Sequence, residues 1–114
     1  MRIDAFLCDA ATVRENLLHV LGGGITRLWR NRFPAQMGVA LAMMVQMRPG
    51  ELGMPHSLQI QVTGADGEPI AAVGGEFSSD ANPNLIPGES TNVPLVINLH
   101  DVLLPMPGQY GITV

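Results

Sequence analysis

A chain of 114 residues with one cysteine and no lysine excludes several classes of protein at the outset. It is long enough to fold on hydrophobic burial alone, Cys8 leaves no internal disulfide, and without lysine there is neither a P-loop nor Schiff-base chemistry. The net charge is −4 and all six cations are arginines lying before residue 49, so the broad basic field of a general nucleic-acid binder is missing.

The N-terminal stretch Arg2-Ile3-Asp4-Ala5-Phe6-Leu7-Cys8 is interrupted by Asp4 and closed by Asp9. It therefore lacks the run of about 7–15 apolar residues in a secretory signal. The residues before Cys8 are also not the small ones that precede a lipidated cysteine. No apolar run nears the ~18 residues of a membrane span, and a reducing cytoplasm is the expected compartment. Residues 1–30 then admit two readings. In one, Asp9 caps a helix over residues 10–21, with Val13, Leu17 and Leu21 on one face and Gly22 ending it. In the other, residues 3–8 are a strand, 11–16 a connection, and 17–29 a long strand bent at Gly22-Gly23-Gly24. Arg27, Arg30 and Arg32 surround Trp29 as the only local basic cluster, read as a solvated strand end rather than a phosphate site.

Residues 38–47 are apolar on both alternating faces, Val39, Leu41, Met43, Val45 and Met47 against Ala40, Ala42 and Met44. Central strands covered on both sides have this pattern. The second face is then shielded by a loop of the same chain, or it is an exposed Ala/Met strip that packs on another subunit. Residues 57–63 alternate cleanly, with Leu58, Ile60 and Val62 opposite Gln59 and Gln61. Asp66-Gly67 supplies a hairpin turn into a strand over residues 70–77, loosened by Gly74 and Gly75. Residues 78–92 read as loop, with Asn82-Pro83-Asn84 and Pro87-Gly88 as breakers. Val93, Leu95, Ile97 and Leu99 then mark a strand that Pro94 places at a sheet edge or bulge. After the turn Pro105-Met106-Pro107-Gly108, Tyr110, Ile112 and Val114 form the inner face of a last strand. The whole predicts one all-β domain, a two-sheet antiparallel sandwich of about seven to eight short strands.

Catalytic and metal sets are sparse. His19, His56 and His100 are far apart and in no His-x-His or His-Glu-x-x-His spacing. His56-Ser57 and His100-Asp101 are adjacent pairs, which a strand points to opposite faces. Cys8 with His19 is a conceivable nucleophilic pair, but a small buried apolar thiol is the favoured reading. Asp66-Gly67-Glu68 lacks the ligand spacing of a calcium loop. Five aromatics are too few for a platform that stacks bases.

The stretches LCDAATVRENLLHVLGGGITRLWR (residues 7–30), FPAQMGVALAMM (33–44) and PGQYGITV (107–114) carry a resemblance. The chain resembles, over nearly its whole length, a family of short bacterial proteins common in high-GC actinobacteria and known only as a domain of unknown function. The resemblance is most specific at Leu7-Cys8-Asp9-Ala10-Ala11 and at Leu21-Gly22-Gly23-Gly24. It implies a β-sandwich in which residues 17–29 form a strand, and it brings no catalytic residues. Relatives continue past the Pro-Gly-x-Tyr strand into a terminal strand, whereas this chain stops at Val114. With Val114 as the natural end, one sheet would lack an edge strand and be open to strand addition; in a chain cut short there, the expectation disappears.

The expected function is a non-enzymatic structural or interaction module without a cofactor or metal. It self-associates or docks a protein partner, and it has neither a nucleic-acid nor a membrane target. Its candidate contact residues are Ala40, Ala42 and Met44 on the small-residue face and Tyr110, Ile112 and Val114 on the open edge. The alternative is a small-ligand sandwich with an apolar pocket lined by Met43, Met47 and Met54.

Overall fold

The computed structural model describes residues 1–79 and 88–114. The breakers Asn82-Pro83-Asn84 and Pro87 lie outside the described residues. Ten strands follow in order: β1 (Arg2–Cys8), β2 (Ala10–Arg14), β3 (Leu17–Leu21), β4 (Ala35–Gln36), β5 (Ala40–Met47), β6 (His56–Thr63), β7 (Pro69–Phe77), β8 (Thr91–Asn98), β9 (Leu103–Leu104) and β10 (Gly111–Thr113). A 3₁₀ turn, Pro49–Glu51, joins β5 to β6. All pairings are antiparallel.

Two three-stranded sheets, in the orders β1-β5-β8 and β10-β6-β7, make the sandwich. Their facing side chains form the main core: Leu41 and Met43 of β5 against Ile60 of β6, with Met37, Val39, Leu99 and Leu104 closing one end. Each such buried aliphatic contributes about 1.5–3 kcal/mol relative to exposure. Gln59 and Gln61 point outward from β6 as the alternation requires. Pro94 sits opposite Met44 on β8, an edge strand where its missing N–H breaks no interior ladder.

The outer face of β5 is the informative one. In the β1-β5-β8 register, Cys8, Ala40 and Asn98 lie side by side, as do Phe6, Ala42 and Val96. The β2–β3 hairpin lies over this surface, packing Ala11, Leu18 and Val20 onto Cys8, Ala40 and Ala42. Ala40 and Ala42 are 2% and 0% exposed. Of the two readings of residues 38–47, shielding by the same chain is the one observed. Small residues on β5 are what let a second layer come so close.

The first thirty residues contain no helix. Residues 10–21 are the hairpin itself, with a two-residue loop, Glu15-Asn16, at φ 53° and 59°. Two consecutive positive φ values match the twist of a two-residue hairpin. The helical spacing of Val13, Leu17 and Leu21 is overruled because the two-stranded lid turns only Ala11, Leu18 and Val20 onto the sheet and leaves Val13, Leu17 and Leu21 exposed. The long strand over residues 17–29 is also corrected: it stops at Leu21. Gly22 and Gly24, at φ 63° and 88°, turn the chain around the end of β1, where the Gly24 and Ile25 amides both donate to the Leu7 carbonyl. A Cβ on Gly22 would meet that of Asp9 at 3.0 Å, so the corner requires glycine both for conformation and for space.

Candidate functional site

Three places were expected to carry function. The small-residue face is covered at Ala40 and Ala42, and only Met44 on it is half-buried. Ala40 and Ala42 therefore offer no surface for a partner while the hairpin is down. At the second place, β10 pairs with β6 on one side and is a sheet edge on the other. Tyr110 and Ile112 turn inward and pack on the core, while Val114 is 44% exposed. The third, a pocket gathered from Met43, Met47 and Met54, does not form. Met43 and Met47 are fully buried core residues and Met54 is half exposed.

The nucleophile candidates are dispersed too. The Cys8 thiol is buried under the hairpin, 3.5 Å from the Ala40 carbonyl it donates to, and burial, reinforced by Asp9, pushes it above the ordinary thiol range. His19 lies opposite Thr12 on the exposed outer face of the same hairpin, so the pair is separated by the sheet. His56 holds the Glu51 carbonyl at 2.7 Å and leans on Phe77, with ring centroids 5.7 Å apart. Glu51 itself accepts from the Arg48 amide, which with the terminal amine 3.1 Å away holds its carboxyl below the usual range. His100 reaches the Asn98 side chain and the Asp9 carbonyl. Among the described residues no three His, Cys, Asp or Glu side chains converge as metal ligands.

A broad concavity lies elsewhere, in a segment read from sequence as a mere strand end. Residues 25–30 leave the edge of β1 and run past the turn 106–110, and between them opens a groove of about 760 Å³. Its floor is apolar, made by Leu7, Leu28, Phe33, Met37, Leu104 and Tyr110. Its rim carries Arg27, Trp29, Arg30, Met106 and Gln109.

Local bonds build this rim. Arg30 donates to three backbone carbonyls, those of Trp29 at 2.8 Å, Gln36 at 3.1 Å and Met37 at 2.7 Å, clamping the arm to β4. The opposite wall is fixed by Tyr110, whose hydroxyl donates to the Met106 carbonyl at 2.5 Å and accepts from its amide at 3.3 Å. The long irregular ladder below, β4 with β9 and then Met37 and Gly38 with Val102 and His100, supplies a rigid base. With both walls held, Trp29 is left 83% exposed and Met106 60% exposed. No signal of periodicity could have found this site. It is assembled from two irregular segments about eighty residues apart in the chain.

A family model matches residues 3–114, nearly the whole chain. The chain belongs to DUF6941, a family of unknown function. No curated protein and no solved structure matches it. In this DUF6941 member, a second concavity is a crevice of about 70 Å³ between β7 and β8, lined by Leu58, Val73, Gly75 and Leu95. It has room for little more than a water or two. No helix is long and apolar enough to cross a membrane among the described residues.

Proposed function

We propose that this DUF6941 member is a non-enzymatic interaction module that meets another protein chain, a partner or a second copy, through the end of the sandwich where the groove opens. We place it in the cytoplasm of a bacterium, on its lack of lysine, its single reduced cysteine and its resemblance to actinobacterial proteins.

The observation that carries the reading is Trp29, 83% exposed at the lip of an apolar groove. Tryptophan is the side chain that gains most from burial and is enriched among the residues that dominate protein interfaces. A rigid clamp that holds one in water, rather than folding it onto the Phe33 and Met37 floor, suits a contact still to be made. Met106, 60% exposed, extends the patch. The free edge of β10 beside Tyr110 offers backbone donors and acceptors to the same partner.

The test is site-specific photo-cross-linking in the native cell, with the cross-linking residue at Met106 and, as control, at Gln59 on the outer face of β6. Protein adducts from position 106, lost when Trp29 is changed to Ser, and none from position 59 are expected. Equal adducts at both positions, or none at 106, would reject the reading. Light scattering at several concentrations then tells a second copy from a different protein.

A further inference from the structure

The charge of the groove runs against the charge of the chain. The protein carries −4 overall, and from residue 51 to the end it has seven acids and no Lys or Arg. Yet the fifteen residues lining the groove include Arg27 and Arg30 and not one carboxylate. Arg32, exposed, stands two residues beyond. Neither Arg27 nor Arg32 has an ion pair or hydrogen bond among the described residues. Arg30 spends its donors on carbonyls, which fix its position without neutralising its charge. The result is a small positive field above an apolar floor, on a molecule that otherwise repels anions.

We infer that the groove takes an acidic segment of a partner protein, one that sets carboxylates beside large apolar side chains. The inference rests on the docking reading above and names the chemistry of the partner. Apolar anchors would enter over Leu28, Phe33, Met37 and Leu104 and stack against Trp29, while carboxylates meet Arg27 and the charge of Arg30 at the rim. The volume, about 760 Å³, is that of a site for a few side chains rather than a whole domain face. A nucleic acid fits less well. It needs phosphate contacts along a track and several stacking faces, and here one unpaired arginine, one clamped arginine and one exposed ring stand over apolar floor residues. Complementary charge of this kind sets which partner is accepted and how fast it arrives.

Trp29 is the only tryptophan, so its own emission reports on the site. The experiment titrates the whole chain with a fluorescein-labelled peptide of alternating Glu and Leu, and with its Lys-Leu counterpart, following anisotropy; unlabelled peptide serves for tryptophan emission. Arg27→Glu is the variant: Arg27 is exposed and unpartnered, so the fold should survive, which circular dichroism verifies. The Glu-Leu peptide should bind saturably, shift Trp29 emission to the blue, weaken with added salt, and lose about tenfold in affinity on Arg27→Glu. Equal binding of the Lys-Leu peptide, or indifference to Arg27→Glu, overturns the acidic-partner inference while leaving the docking reading in place. No binding of either peptide overturns it as well, and the cross-linking result then decides the docking reading separately. Stronger, Arg27-dependent binding of a single-stranded thymidine oligonucleotide would overturn it in favour of nucleic acid.

Discussion

Ala42 has less freedom than any other residue on the second face of β5. It is fully buried between Phe6 and Val96 on its own sheet, with the β2–β3 hairpin packed over the face it shares with Ala40. A larger or charged side chain there has nowhere to go except by lifting the hairpin. Ala42→Glu should therefore cost several kcal/mol, because it buries a carboxylate with no partner. The check is a denaturant melt: a midpoint unchanged from the native chain would mean that the hairpin does not cover this face in solution. At the same scale Arg30 and Tyr110 act as ties, each converting a loop into a wall of the groove through bonds to backbone. The side chains of their neighbours Arg27 and Trp29 make no hydrogen bond among the described residues and are exposed, which is why these two, and not the ties, are read as contact residues.

The β2–β3 hairpin is the element on which most of the molecule's unusual character rests. Its strands pair only with each other, so it is held by one ladder and by the contact of Ala11, Leu18 and Val20 with the sheet beneath. Its turn residues are poorly suited to their conformation: Glu15 has φ 53° and Asn16 φ 59°. Asn tolerates the left-handed region, but Glu does not. Replacing the pair by Asn-Gly (Glu15→Asn, Asn16→Gly) should stabilise the protein by roughly 0.5–1 kcal/mol. A rise in thermal midpoint measures it, and a fall would indicate that Glu15 has a role in the turn beyond geometry. Its outer face leaves Leu17 and Leu21 60% and 70% exposed, with His19 between them.

Across the whole molecule the sandwich is built unevenly. The full-length ladders are β1 with β5, β5 with β8 and β6 with β7, while β10 and the hairpin are attached by short or single pairings. Local opening follows the number of buried apolar contacts and paired backbone groups. Amides of β5 and β6 should therefore exchange with solvent only through global unfolding, and those of β2, β3 and β10 through smaller openings. Hydrogen-exchange mass spectrometry would measure this order. Equal protection of the hairpin and β5 would refute it, and would make the hairpin part of the core rather than a lid.

Much of this was present in the chain as written. Alternation in residues 57–63, the Asp-Gly turn, Pro94 on an edge and the doubly apolar 38–47 segment each report a local requirement of a strand. A local requirement is legible because the residues that satisfy it are neighbours in sequence. Residues 10–21 were ambiguous because Val13, Leu17 and Leu21 suit a helix while residues 17–29 also suit a strand, and the packing of Ala11, Leu18 and Val20 on β5 decided for a hairpin. The groove was not legible at all. Trp29 and the arginines around it looked like a strand end, since nothing nearby in sequence announces the turn 105–110 as the opposite wall. Sequence alone determined an all-β sandwich, because strand periodicity is a property of consecutive residues. Only the tertiary structure decided that Ala40 and Ala42 are covered and Trp29 is not, because exposure depends on which distant segments pack against a side chain and which leave it to water.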